Sequence, residues 1–243
     1  MSRRKDRKVF LETDWGRMVS ANYVVDPDFI KRYIPKGTEL ELFEDKCYVS
    51  LVAFLYSNTR LMKIPVPFHQ TFEEINLRLY VKRKIGENKW RSEVAFPKLF
   101  FPKRAVSFVA NTIYKENYET RRMNHSWSED SQHLHTSYGI KKGGWHQISI
   151  TTEKESVPIE LNTPEHLFSK HYWGTAQVDD EKCTVYEVDR DDWNIYKTID
   201  SDISFDFGTV FGPDFGELTN IEPESVQLFD GSPITVYRKS VLR

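Results

Sequence analysis

From Phe72 to Val81 hydrophobic and polar residues alternate with period two, which assigns Ile75, Leu77, Leu79 and Val81 to one face of a strand. That apolar face requires a core. The opposite face carries Phe72, Glu74, Asn76, Arg78 and Tyr80, a ladder of carboxylate, amide and guanidinium between two rings, its rungs roughly 7 Å apart. Such a ladder is either the solvated face of a one-sided antiparallel sheet, which spacing alone favours, or the wall of a polar cavity. Ile85-Gly86-Glu87-Asn88 then supplies the Gly and Asn of a reversal, and 89–96 alternates again with Trp90, Val94 and Phe96 on one side. A β-hairpin is predicted. Pro102 stands where a first helical turn accepts it, and Ala105, Val106, Val109 and Ile113 form one apolar helical stripe.

Upstream, 15–25 has strand character, Asp26-Pro27-Asp28 opens a short helix reaching Tyr33, and 38–43 alternates before a turn at Glu44-Asp45-Lys46. Residues 47–56 are apolar at nearly every position, so this strand must be buried on both sides, as at a barrel or sandwich centre. A loop stiffened by Pro65 and Pro67 is expected over 57–68. Downstream, strands are predicted at 118–127, 132–140 and 145–153, the last two joined through Lys141-Lys142-Gly143-Gly144. A helix opens at Thr163-Pro164-Glu165, and strands follow at 183–188, 193–198, 203–207, 226–229 and 234–238. The class is α+β, mostly β. A flexible basic tail over 1–9 precedes a single domain over 10–243.

Composition narrows the partners. Sixteen Phe, 12 Tyr and 6 Trp among 243 residues make a ring-rich core that suits strands. A net charge of −2 supplies no positive field for nucleic acid. Cys47 and Cys183 lie far apart without metal-type spacing, which fits reduced thiols in the cytoplasm, and no apolar run is long enough to span a membrane. No GxSxG, P-loop or GxGxxG motif occurs.

His133 and His135 share a strand face with His125 on the preceding strand, and three imidazoles so spaced could hold zinc or iron. Alternating polar residues on an exposed strand explain the same pattern. His166 and His171, five apart on the second helix, miss the spacing that would bring two ligands together and read as structural. An inward guanidinium and carboxylate are unfavourable by several kcal/mol unless paired or used to grip something. If the ladder faces inward, Arg78 would recognise a carboxylate, with Glu74, Asn76 and Tyr80 fixing its orientation. Lys98, between Phe96-Pro97 and Leu99-Phe100-Phe101, is either an amine desolvated by rings for Schiff-base chemistry or a lysine snorkelling at a strand end.

Phe72-Glu73-Glu74-Ile75-Asn76-Leu77-Arg78-Leu79-Tyr80-Val81 resembles the E-x-N-x-R-x-Y-V signature of the DUF2071 (YqjF-like) family. Phe101-Pro102-Lys103-Arg104-Ala105-Val106, the segment from Tyr114 to Tyr118, and His171-Tyr172-Trp173-Gly174 resemble its later motifs, and the likeness spans 10–238. It implies the acetoacetate decarboxylase-like fold: a cone-shaped, closed antiparallel β-barrel with two or three short helices and an interior cavity. The decarboxylases carry a Tyr-Pro-Lys-Lys segment whose lysine forms a Schiff base. Phe96-Pro97-Lys98-Leu99 matches it except that Leu99 supplies no neighbouring charge, so burial alone would have to lower the Lys98 pKa from about 10.4 toward 7. Where related chains read Tyr-x-Val-x-His before a Trp, this one has Tyr186-Glu187-Val188-Asp189-Arg190 before Trp193, so Arg190 replaces an imidazole.

The expectation is a cytoplasmic protein whose cavity binds a small anionic or keto-acid-like molecule through Glu74, Asn76, Arg78 and Tyr80, without established catalysis. A decarboxylase or related lyase working through Lys98 is the alternative, and a metal-dependent enzyme using His125, His133 and His135 a weaker one. Otherwise no cofactor, nucleic acid or membrane is called for, and a homodimer is compatible.

Overall fold

β5 (Phe72–Gly86) and β6 (Lys89–Phe101) pair antiparallel across Glu87 and Asn88, so the hairpin is present and longer than its alternation suggested. The computed structural model describes residues 7–65, 68, 70–103, 118–179 and 181–242. On its other edge β5 pairs with β3 (Cys47–Leu61), β3 with β1 (Val9–Val25) and β1 with β14 (Ser225–Tyr237), all antiparallel. β6 pairs in parallel with β11 (Trp173–Asp179), and β11 pairs antiparallel with β12 (Lys182–Arg190). β12 also pairs with β14 at Val188–Val236, Asp189–Thr235 and Arg190–Ile234, so the path returns on itself and these strands form a ring. From β14 the sheet branches away through β13 (Asn194–Ser204), β10 (Trp145–Pro158), β9 (His133–Lys141) and β8 (Arg122–Glu129).

Two faces of the ring are buried for different reasons. Ile75, Leu77, Leu79 and Val81 join Val49, Leu51 and Ala53 in a core capped by α3 (Phe207–Phe211) and the following 3-10 turn through Phe207, Val210, Phe211 and Phe215. The opposite face joins Tyr48, Val52, Phe54, Phe72 and Tyr80 to Leu167 and Phe168 of α2 (Pro164–Ser169). β3 is therefore buried on both sides, as its continuous apolar run required. The solvated alternative for the ladder is corrected: Glu74 is 3%, Asn76 0% and Arg78 6% exposed. Ring closure turns that face inward.

Local chemistry accounts for the other departures. The strand over 47–56 continues to Leu61, and the reversal falls at Met62 and Lys63, both at positive φ, so much of the expected loop is strand. The strands expected at 226–229 and 234–238 are one, β14. Gly231 (φ +85) separates the segment that pairs with β13 from the segment that pairs with β12. A Cβ there would lie 2.0 Å from the Trp15 carbonyl oxygen. The strand expected at 203–207 ends at Ser204, because the Asp206 carboxylate accepts the Thr209 amide (2.8 Å) and caps α3. At the start, Arg7 pairs with Glu187 and β1 begins at Val9, so the expected tail is already engaged there. The helix expected after Pro102 falls on 104–117, outside the described residues. Among the described residues no helix is long and apolar enough to cross a membrane.

Two polar clasps hold β11 and the segment before it against the hairpin. Arg83 donates through Nε to both Glu93 oxygens (3.0 and 3.1 Å) and through Nη2 to Thr175 Oγ1 on β11 (3.1 Å), with Glu93 fully buried. Beside it, His171 donates from Nε2 to Glu41 (2.9 Å), whose other oxygen accepts from Ser92 (2.8 Å) and pairs with Lys170 (3.0 Å). Burial pushes the Glu41 carboxyl up, but these partners outweigh it and hold the pKa at about 2; burial lowers that of His171, which stays neutral.

Replacing Glu93 by Ala leaves the Arg83 guanidinium buried without its anion and should lower stability by about 3–5 kcal/mol, read as a shift of the urea midpoint. Acid should act through the second clasp. The unfolded chain takes up a proton on His171 near 6.5 that the native state refuses, and Glu41 stability is lost as pH falls from 4.5 toward about 2. Stability should therefore decline on acidification from neutral pH, and His171→Gln should flatten the part of that decline that sets in as pH falls through 6.5 in urea titrations. An unchanged slope in the variant would remove His171 from the account.

Candidate functional site

Inside the ring lies a cavity of about 90 Å³, smaller than the roughly 150 Å³ that houses a benzene in an engineered protein core. Each strand of the ring contributes to its wall: Trp15 from β1, Phe54 from β3, Arg78 from β5, Leu99 from β6, Trp173 from β11, Arg190 from β12 and Val236 from β14. α2 and the residues after it add Phe168, Ser169 and His171. The wall is mostly rings and aliphatics with a few charged groups set into it.

Of the ladder, Glu74 and Arg78 reach the cavity, while Asn76 and Tyr80 stand behind it. The Glu74 carboxylate accepts from the Tyr56 hydroxyl (2.9 Å) on one oxygen and from Asn76 Nδ2 (2.7 Å) on the other. Asn76 thus orients Glu74. Ser50 donates to Asn22 Oδ1 (2.6 Å) and so accepts from the Tyr80 hydroxyl (2.7 Å), a fixed polar layer beneath the wall. Arg78 differs from all of these. Its Nε is buried without a hydrogen-bond partner, and among the described residues no carboxylate lies within ion-pair distance of its guanidinium, which stands 5.9 Å from the Phe96 ring.

Two residues of the wall were not assigned a role from sequence. His171 packs its ring 5.1 Å from that of Tyr80 and lines the cavity, although its spacing from His166 read as structural. Arg190 donates from Nη1 to the Asp191 carbonyl (2.9 Å) and from Nη2 to the Ser169 carbonyl, with its guanidinium 3.7 Å from the Trp193 ring and 4.5 Å from that of Tyr172. Its Nε is also buried and unpartnered. Burial, with the Arg78 charge adding to it, draws the Arg190 pKa down to about 10. The only signal in the sequence was the arginine standing where related chains carry an imidazole.

Lys98 is not brought to this cavity. Leu77 pairs with Lys98 and Leu79 with Ala95, so Phe96 and Pro97 both stand against Arg78 as a β-bulge. The extra residue reverses the alternation: Val94 and Phe96 line the cavity before the bulge and Leu99 after it. Lys98 is left on the other face, its Nζ 2.7 Å from Glu119 and 5.5 Å from the Phe100 ring. The histidines do not converge either. His125 bonds Glu73 (2.8 Å), while His133 and His135 lie 3.6 and 3.0 Å from Asp130. Among the described residues no three His, Cys, Asp or Glu side chains are grouped to hold a metal ion, which corrects the three-histidine alternative.

Comparison with known proteins places this geometry. A solved structure of the enduracididine biosynthesis enzyme MppR complexed with pyruvate superimposes with a TM-score of 0.67 at 15% identity, covering 96% of this chain and 90% of that one. Acetoacetate decarboxylase from Legionella pneumophila subsp. pneumophila str. Philadelphia 1 superimposes at 0.66 and 10% identity, covering 100% of this chain and 92% of that one. These likenesses establish an acetoacetate decarboxylase-like fold. The uncharacterized protein YqjF of Bacillus subtilis (strain 168) is 31% identical over 71 residues, a match spanning 29% of each chain. The family model DUF2071, described as an uncharacterized conserved protein, matches residues 12–232, which takes in the ladder, both clasps and all of the cavity wall except Phe10, Leu11 and Val236. By that match the chain belongs to the DUF2071 family.

Proposed function

We propose that this protein binds a small carboxylate of keto-acid-like kind inside a closed, cone-shaped barrel, with Arg78 gripping the carboxylate. One observation carries the reading: a buried guanidinium in the cavity wall has no anionic partner among the described residues. An uncompensated buried cation destabilises a fold by several kcal/mol, and a bound carboxylate removes that penalty with charge-assisted, bidentate geometry. Glu74, locked by Tyr56 and Asn76, holds a fixed place in the wall beside the proposed ligand, and Tyr80 holds the layer behind. The volume suits a ligand of few atoms. The solved complex of MppR with pyruvate adds weight, since it is a relative in fold carrying a molecule of this class.

A lyase reading through Lys98 has less support. It needs an amine at the bound carbonyl, and among the described residues lining the cavity there is no lysine. The proposed role is therefore binding.

Arg78→Met should weaken pyruvate binding by roughly 10- to 150-fold, the worth of a hydrogen bond to a charged group, measured by titration calorimetry. The free variant should melt no lower than the parent, because an unpaired buried charge has been exchanged for a hydrocarbon. Unchanged affinity would end the assignment of Arg78. Incubation with pyruvate followed by borohydride should leave Lys98 unmodified in peptide mass spectra; an adduct on that residue would transfer the reading to Schiff-base chemistry.

A further inference from the structure

The cavity holds a second cation with the same peculiarity as the first. Arg190 faces it from β12, opposite in the ring to β5, which carries Arg78. Its position is fixed before any ligand arrives: the Ser169 and Asp191 carbonyls set the guanidinium plane, and the Trp193 and Tyr172 rings flank it. Those carbonyls are neutral acceptors, and the opposing charge of Asp192 acts on the guanidinium without forming an ion pair. Neither arginine is ion-paired among the described residues, and each has a buried Nε without a partner.

The charge inventory of the wall follows. Arg78 and Arg190 bring two positive charges, close enough for one to disfavour the other. His171 is kept neutral by burial and adds none. Glu74 brings one negative charge; both its oxygens accept from the neutral donors Tyr56 and Asn76, and it is ion-paired with neither arginine. A monocarboxylate on Arg78 would leave Arg190 as it was. Most of the remaining lining, including Phe54, Leu99 and Val236, is hydrocarbon that suits a short carbon chain, with the Trp15 indole N–H and His171 Nδ1 buried and unpartnered beside it.

Resting on the carboxylate-binding reading above, we infer that the ligand is a short dicarboxylate, one carboxylate on Arg78 and the second on Arg190. Arg190 is then the residue that selects two-fold charge. A neighbouring hollow of about 180 Å³ shares Ser169, Arg190 and Trp193 with the cavity and is lined by Lys170 and Asp192 as well.

Malonate and malonamate have nearly the same shape and differ by one charge, so titration calorimetry of the intact protein with each isolates the inference. Malonate should bind at least roughly tenfold tighter than malonamate, and Arg190→Met should abolish that ratio while leaving malonamate affinity within a few-fold. Equal affinity of the native protein for the two would overturn the inference whether or not the variant folds, as would a loss in Arg190→Met that is the same for both. If malonamate and pyruvate bind and depend on Arg78 but malonate gains nothing, the dicarboxylate inference alone fails. If no carboxylate binds, the inference and the proposed function fail together.

Discussion

Charge taken out of water by a ring of strands must find a counter-charge or hydrogen-bond donors, and the interior of this protein is organised by that requirement. Glu93 is fully buried and is met by Arg83 and Arg91. Glu41 is met by His171, Ser92 and Lys170, and Glu74 by Tyr56 and Asn76. In each case donors surround the carboxylate, as a low-dielectric setting demands. Arg78 and Arg190 break the pattern, and they do so together, in the wall of one cavity. A fold that satisfies its buried anions so fully has the means to satisfy two cations as well. Among the described residues neither has an ion-pair partner, and that separates a candidate site from ordinary packing.

The ring also decides which side chains can reach that cavity. At Gly231 the outer edge of β14 passes from β13 to β12, and without that change of partner the path would not return on itself. The bulge at Phe96 and Pro97 works at a smaller scale, because a single inserted residue exchanges the two faces of β6 beyond it. Leu99 is thereby placed in the wall and Lys98 outside it, beside Glu119 and the Phe100 ring. The amine and the guanidinium, neighbours across the β5–β6 ladder, are put on opposite sides of the sheet.

What could be read from the chain alone follows the same division between local and non-local causes. The alternation in β5, the doubly apolar β3 and the caps at Asp26 and Thr163 are local, and the structure contains each of them. The direction in which the ladder faces is not local: period two assigns Arg78 and Glu74 to one side but leaves open whether that side is wet, since closure between β12 and β14 decides it. Parity arguments fail across a bulge, so no reading of 94–101 as a uniform strand could have turned Lys98 away. His171 looked structural because its partner Glu41 is 130 residues away, and helical spacing carries no information about such a pairing. Arg190 left a trace only as a replacement within a motif, and its meaning came from what surrounds it.

The two arginines are also joined mechanically. Tyr80 and Ser50, beneath Arg78, connect through Asn22 to Gln227, whose amide donates to Glu165 in the first turn of α2 (3.1 Å). The last residue of that helix, Ser169, accepts the Arg190 guanidinium at its carbonyl, where the negative end of the helix favours a cation. The helix therefore takes its position at one end from the polar layer behind Arg78 and hands it on to Arg190 at the other. A ligand carboxylate at one guanidinium would find the second already set, without an ordering step at binding. On the proposed reading, preorganisation of this kind gives a role to the hydrogen-bonded layer of Ser20, Asn22, Ser50 and Gln227 inside an otherwise apolar core, where hydrocarbon of the same shape would pack as well.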